Sequence, residues 1–240
     1  MPKIALIGGS AGALSAIEAF FENLPESCEQ DFAFIVVQHL NKDYKSRLDS
    51  LIAKWTSMKV VFASEGMDIE AGHVYIGQPG YFLALVGNRF SLLPPESGTK
   101  ANKPIDFLCR SLAEGYGRDS VLLILSGLGD DGTEGARLIK QAKGRVLAQA
   151  PSNADFDGMP ASAIAAGWVD KIFPAAELGL SLAQCGGDEN GGEADITHSN
   201  THHKPAFAGI LELIREHAHN DMANYKQTTL RRRIERRMSM

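Results

Sequence analysis

The sequence predicts an α/β fold: a doubly wound, mostly parallel sheet with an antiparallel hairpin addition, followed by a short C-terminal helical fragment. Three observations lead to this prediction. Short apolar runs, typical of strands buried on both faces, alternate with segments whose apolar residues recur at helical spacing. Segments of about 10–15 residues separate these runs, as in parallel βαβ units. Turn residues divide 73–93 into short paired strands, and the composition changes abruptly after residue 184.

Strands and helices follow one another along most of the chain. Before residue 95 the pattern predicts strands at 3–8, 32–40 and 59–64, helices at 13–23 and 44–55, and the hairpin at 73–93. Pro79-Gly80 and Gly87-Asn88 mark the turns of that hairpin. After residue 103 the pattern predicts strands at 120–127 and 145–150, and helices at 104–117, 133–144, 159–167 and 175–184. These elements are sufficient for one large domain over residues 1–184.

The composition changes in residues 185–205, which are mainly Gly, Asn, Ser, Thr, His and acidic residues. So few apolar residues cannot form a core, and we predict a flexible linker there. Helical spacing resumes in residues 206–240, and a predicted helix is still continuing at Met240. We therefore expect residues 206–240 to be the start of a truncated helical domain.

Composition and charge disfavour several classes of protein. The 240 residues are 44% hydrophobic with a net charge of −5, which suits a soluble globular protein and disfavours nucleic-acid binding. No apolar run approaches the ~20 residues that span a bilayer, and the first predicted strand begins too early for a secretory signal. The three cysteines are far apart, so we expect no disulfide framework and no metal site. We expect a cytoplasmic protein without direct membrane insertion.

The segment Gly8-Gly9-Ser10-Ala11-Gly12-Ala13 joins the first strand to the first helix. A dinucleotide-binding loop would have glycine in place of Ser10 and an acidic residue at the end of the second strand, where Gln38-His39 stands. A Walker loop would require a lysine. The string Gly8-x-Ser10-x-Gly12 matches a nucleophile elbow, in which glycines permit a sharp turn that exposes the serine. A plain turn with Ser10 as a helix cap is the alternative.

Two further polar positions lie at the same predicted sheet edge as Ser10. His39 ends the second apolar strand, and Asp130-Asp131 follow the strand at 120–127 in a Gly-rich loop. The carboxyl ends of parallel strands meet at one edge, so these side chains can come together. A serine nucleophile requires a base, and the base requires an orienting acid. The residue types do not choose between Asp130 and Asp131, and either could instead cap the following helix.

Six segments together resemble the catalytic domain of chemotaxis receptor protein-glutamate methylesterases of the CheB type. They are IGGSAGA, IVVQHL, VYIGQPGYFLAL, SGLGDDGTEGA, AQAPSNADFDGMPASAI and AGWVDKIFP, in the family's order across residues 3–183. The resemblance implies hydrolysis of glutamate γ-methyl esters, release of methanol and deamidation of certain receptor glutamines. It implies no cofactor for this domain, and the cytoplasmic helices of methyl-accepting chemoreceptors as partners.

The resemblance also assigns roles to residues of this chain. It implies a catalytic triad of Ser10, His39 and Asp131, and thereby selects Asp131 over Asp130.

Backbone N–H groups at Ala11, Gly12 and Leu128 are the expected oxyanion donors. The chain departs from the family's usual residues at Ala11, often Thr, at Ala13, often Gly, and at Leu128, usually Met. A backbone donor survives the change from Met to Leu, and the triad residues are all present.

The C-terminal segment resembles the opening of the small helical domain of CheR-type receptor methyltransferases, with Lys226 through Arg237 as the matching core. S-adenosylmethionine would belong only to the missing methyltransferase portion. The typical receiver domain does not precede residue 3, so we expect that control to be absent. The basic residues of this segment are expected to bind the acidic receptor region: Arg231, Arg232, Arg233, Arg236 and Arg237.

Two other function classes remain open at this point. One is a catalytically weak module that docks on receptor helices as part of a fused methylesterase–methyltransferase. The other is a nucleotide-binding α/β protein, which the missing acidic residue after the second strand disfavours.

Overall fold

Most strands of the molecule lie side by side in one parallel sheet. The computed structural model describes residues 1–38, 47–94 and 103–184. The strands in these ranges are β1 (Lys3–Gly9), β2 (Phe32–Gln38), β3 (Lys59–Phe62), β4 (His73–Ile76), β5 (Phe82–Val86), β6 (Arg89–Leu93), β7 (Ser120–Ile124), β8 (Arg145–Gln149) and β9 (Lys171–Phe173). Within the described ranges, seven strands form a parallel sheet in the order β3-β4-β2-β1-β7-β8-β9, while β5 and β6 form an antiparallel pair. The predicted α/β class is confirmed.

Helices connect the parallel strands and cover both faces of the sheet. In the described ranges they are α1 (Ala13–Glu22), α2 (Glu26–Asp31), α3 (Leu48–Ile52), α4 (Pro104–Tyr116), α5 (Thr133–Gln141), α6 (Gly158–Ala165) and α7 (Ala175–Gln184), with 3-10 turns at Gly117–Asp119 and Pro151–Asn153. Pro104 opens α4, where its missing N–H has no helical partner to lose. The predictions omitted α2 and β9, because elements of six and three residues are too short to show a period.

The segment 73–93 differs from the prediction in its first part. The antiparallel hairpin is confirmed over β5 and β6, which join at Gly87-Asn88. In contrast, β4 pairs in parallel with both β2 and β3 and belongs to the main sheet. Val74, Tyr75 and Ile76 are all buried, as expected of an interior strand, whereas buried and less buried positions alternate along β5. The turn at Pro79-Gly80 therefore leads out of the main sheet into the hairpin.

The core has two layers, one on each face of the sheet. Alternate residues of β1 serve both layers: Ile4 and Leu6 pack on one face, and Ala5 and Ile7 on the other. The first face carries α4, α5, α6 and the hairpin, and the second carries α1, α2, α3 and α7. Strand β1 is thus covered on both faces, which explains why its sequence is continuously apolar.

The connections reverse direction at β1. From β1 the chain passes to β2 on one side, whereas β7 pairs with the other side of β1 in the same parallel direction. In open α/β sheets the crevice beyond the carboxyl ends of the strands at such a point is where ligands bind. Ser10 follows β1 at this edge, and the loop containing Asp131 follows β7. None of the helices in the described ranges is long and apolar enough to cross a bilayer.

Candidate active site

Ser10 stands at the turn between β1 and α1, as the nucleophile-elbow interpretation predicts. Its N–H donates to the carbonyl of Ser126 at 2.9 Å, and its carbonyl accepts from Ala13 N–H at 3.2 Å. Gly12 has a φ of 70°, in the left-handed region that glycine adopts without steric cost. The turn therefore ends at a glycine, α1 begins at once, and no side chain caps α1. Ser10 is half-buried rather than enclosed.

Gly127 permits the close packing behind Ser10. A β-carbon placed on Gly127 would lie 2.1 Å from Met159 Sδ and 3.0 Å from Ser10 Cβ. Neither distance is possible without movement, and Met159 is fully buried. The loop after β7 therefore touches Ser10 directly, and a side chain at 127 would separate them.

A buried hydroxyl connects three loops at this edge. Ser126 Oγ donates to the Ala11 carbonyl at 2.8 Å and accepts from Phe156 N–H at 3.0 Å. The Ser126 N–H donates to the Gln149 side-chain oxygen at 2.8 Å, and Gln149 is itself 2% exposed. The Ser126 hydroxyl thus joins the backbone of Ala11, directly after the candidate nucleophile, to that of Phe156.

The predicted oxyanion donors lie next to Ser10. Ala11 and Gly12 lie at the N-terminus of α1, where the helix dipole favours negative charge. Leu128 directly follows Gly127, and its side chain is 63% exposed. Within the described part of the chain, the N–H groups of Ala11, Gly12 and Leu128 donate no hydrogen bond. Three backbone donors therefore remain available near the serine.

The two candidate aspartates occupy different environments. Asp131 is 3% exposed, and its carboxylate accepts from the N–H groups of Ile105 at 3.1 Å and Asp106 at 3.0 Å. Asp131 thereby caps the first turn of α4. The sequence had suggested a cap for α5, because α5 begins shortly after Asp131 in the chain. Asp130 is exposed and pairs with Lys103 at 2.8 Å. Hydrogen bonds therefore fix the orientation of the Asp131 carboxylate, whereas Asp130 lies at the surface.

A surface cleft of about 250 Å³ adjoins Ser10. Leu14, Leu48 and Leu51 provide apolar walls, and Gln38 and Arg47 provide polar groups. Leu14 is 42% exposed, because it lies against this cleft rather than in the core under α1. The cleft is formed by α1, α3 and the end of β2.

Several predicted residues lie outside the described ranges. They are His39, the predicted linker 185–205, and the basic residues Arg231, Arg232, Arg233, Arg236 and Arg237. Among the described residues, no group of three or more His, Cys, Asp or Glu side chains could hold a metal ion.

The sequence did not reveal three polar residues that organise the site. Ser126, Gln149 and Asp106 act through contacts with distant segments, and no local pattern marks such contacts. The one available signal is a polar residue within or directly after an apolar strand, which applies to Ser126 and Gln149.

Family comparisons cover both parts of the chain. Residues 5–182 match the CheB methylesterase family model, and residues 205–240 match the model of the CheR methyltransferase all-alpha domain.

Individual proteins show the same similarity. The chain is 31% identical over 186 residues to protein-glutamate methylesterase/protein-glutamine glutaminase 1 of Myxococcus xanthus. This match covers 76% of this chain and 53% of that protein. It is 31% identical over 212 residues to an uncharacterised 104.1 kDa protein of Rhodobacter capsulatus, covering 80% of this chain and 22% of the other. The chain thus spans about half the length of the curated methylesterases it matches, and less of the larger protein.

A solved structure has the same fold. The crystal structure of the Thermotoga maritima CheB methylesterase catalytic domain matches with a TM-score of 0.71 at 28% identity. The match covers 77% of this chain and 98% of that domain.

Proposed function

Because the chain belongs to the CheB methylesterase family, we propose that residues 1–184 hydrolyse γ-methyl esters of glutamate side chains on chemoreceptors and release methanol. The observation that carries this proposal is the position of Ser10, at the end of the central strand, beside a cleft and next to three backbone N–H groups without partners in the described chain. That arrangement suits acyl transfer, in which a hydroxyl attacks a carbonyl and N–H groups stabilise the resulting oxyanion.

The catalytic residues of this proposal are Ser10, His39 and Asp131. His39 removes the Ser10 proton as Oγ bonds to the ester carbonyl carbon. The carbonyl oxygen becomes an oxyanion, held by N–H groups of Ala11, Gly12 and Leu128. As the carbon–methoxy bond breaks, His39 gives the proton to the leaving oxygen, and methanol departs. Water then attacks the acyl-enzyme with His39 again as base, which frees Ser10 and leaves the glutamate carboxylate.

Burial and hydrogen bonding support Asp131 rather than Asp130 as the orienting acid. A triad aspartate holds the imidazole in one tautomer and stabilises its positive form, so it must itself be fixed. Asp131 is buried and accepts backbone N–H groups, whereas Asp130 is exposed and paired with Lys103. An exposed carboxylate that already pairs with a lysine would orient an imidazole poorly.

The same site would deamidate receptor glutamines, with ammonia in place of methanol as the leaving group. No step of this chemistry calls for a cofactor. The partners of the proposed enzyme are the cytoplasmic helices of methyl-accepting chemoreceptors, in a chemotaxis-type pathway, and its location is the cytoplasm. Residues 205–240, which match the CheR methyltransferase all-alpha domain model, would assist receptor binding.

Methanol release from a methylated receptor tests the proposal. In the full chain, Ser10→Ala should lower the rate by at least about 10³-fold, because triad residues act as a unit. Ser152→Ala is the matched control, since Ser152 is exposed on the 3-10 turn Pro151–Asn153. Ser10→Ala protein that releases methanol at the wild-type rate would refute the proposal. A wild-type chain that binds the receptor but releases no methanol would instead indicate a docking module.

A further inference from the structure

The first turns of α4 and α5 are held by each other's aspartates. Asp131, in the loop before α5, accepts two N–H groups from the first turn of α4. Asp106, in the first turn of α4, accepts the N–H groups of Gly132 at 2.9 Å and Gly135 at 2.7 Å. The Gly132 N–H also lies 2.9 Å from Asp131 Oδ1, so both carboxylates share one donor. The two acidic side chains are therefore immediate neighbours.

This arrangement is costly for a structural cap alone. The Asp106 side chain is 11% exposed, and its Oδ2 is buried with no hydrogen-bond donor in the described part of the chain. Burial raises the pKa of Asp106, the Gly135 N–H opposes this, and the neighbouring Asp131 adds to the rise. Serine or asparagine would cap a helix without placing a second charge beside Asp131. A negative charge at residue 106 therefore needs another explanation.

In the described part of the chain, Asp106 has two further aspartates and one lysine among its charged neighbours. Lys103 Nζ lies 3.8 Å from Asp106 Oδ2, but it bonds Asp130 at 2.8 Å. On α4, burial and, to a smaller extent, the charges of Asp106 and Asp131 raise the pKa of the Cys109 thiol well above its usual range. This thiol therefore stays neutral. On α5, the exposed Glu134 pairs with Arg137. Lys103 is thus shared between Asp106 and Asp130.

We propose that Asp106 is a positioning residue that fixes Asp131 and adds a second negative charge in support of the His39 imidazolium. The inference rests on the proposed function. Two N–H groups bound to Asp106 anchor the start of α5, which directly follows Asp131. A second negative charge close to Asp131 favours the positive form of an imidazole that Asp131 contacts. Asp106 therefore acts through Asp131 and does not touch the substrate.

The pH dependence of methanol release distinguishes this role from capping. Asp106→Asn keeps an oxygen that can accept from Gly132 and Gly135 but removes the charge. We expect the acid limb of kcat/KM to move to lower pH by about half a unit or more, because the imidazolium loses stabilisation. We expect kcat to fall several-fold with KM unchanged. Asp119→Asn, at an exposed position on the 3-10 turn Gly117–Asp119 that follows α4, should change neither quantity.

Each outcome supports or overturns the inference. A folded Asp106→Asn protein with the wild-type acid limb, or with an effect confined to KM, overturns it while the proposed function stands. If Asp106→Asn fails to fold, Asp106→Ser is judged by the same criterion, since its hydroxyl also accepts N–H groups. A wild-type chain that releases no methanol removes the proposed function, and this inference falls with it. A downward shift in either folded variant, absent from Asp119→Asn, supports the role of Asp106.

Discussion

Replacing Gly127 by alanine should displace Ser10 and lower activity more than stability. The added methyl group would lie 2.1 Å from Met159 Sδ and 3.0 Å from Ser10 Cβ. Met159 is fully buried, so its thioether cannot move outward without opening the core. The strain must therefore be shared between the core and the Ser10 loop.

The expected size of the effect follows from these contacts. Overpacking a dense core typically costs about 1–3 kcal/mol, which corresponds to a fall in melting temperature of about 2–12 °C for a domain of this size. A displacement of the nucleophile on the order of 1 Å costs about 10²-fold in rate. Methanol release should thus fall about 10²-fold in a protein that remains folded at 25 °C.

Thermal unfolding and methanol release from methylated receptor, measured on the same preparation, check this prediction. Gly115→Ala is the matched control, because a β-carbon on Gly115 in α4 meets no atom within 4 Å. That substitution should stabilise the protein by about 0.5–1 kcal/mol and leave the rate unchanged. Gly127→Ala protein with wild-type activity would refute the packing argument for the Ser10 loop.

Two further predictions concern the acid and the basic segment. Asp131→Asn should lower kcat by about 10⁴-fold, as loss of a triad aspartate does, whereas Asp130→Asn should change it less than about threefold; equal losses would contradict the choice of Asp131. Increasing salt should weaken receptor binding by the full chain. Replacing the five arginines of the C-terminal segment by glutamine should weaken binding and make the affinity less dependent on salt. An affinity that changes neither with salt nor with these substitutions would argue against the proposed role of Arg231, Arg232, Arg233, Arg236 and Arg237.

The interior strands could be predicted from the sequence because burial on both faces leaves a direct signature. Strands β1, β2, β7 and β8 have apolar interiors, and the structure places them close to the predicted bounds. Strand β4 is equally buried but only four residues long, and the turn at Pro79-Gly80 joins it to a real hairpin. Because β4 is short and lies next to a turn, its sequence resembles that of a hairpin strand. Its pairing with β2 and β3 in the main sheet forms only in the folded domain and could not be predicted from the local sequence.

The turn at Ser10 could be predicted from the sequence because it depends on local geometry. Ser10 follows a strand and is flanked by glycines, so its exposure in a turn could be predicted, and the structure has that turn. Asp131 could not be predicted as the cap of α4, because the N–H groups it accepts lie 25 and 26 residues earlier in the chain. Ser126 reaches Ala11 across 115 residues. Such long-range hydrogen bonds follow from the folded topology and have no counterpart in local sequence.

The position of β1 in the sheet has a consequence for how the molecule tolerates motion. β1 has hydrogen-bonded neighbours on both sides and packed layers above and below. Fluctuations begin at the margins of a fold, here the outermost strands β3 and β9, and reach the innermost segment only when the whole domain opens. Ser10 directly follows this segment, so the proposed nucleophile should keep its position when local opening occurs elsewhere in the domain.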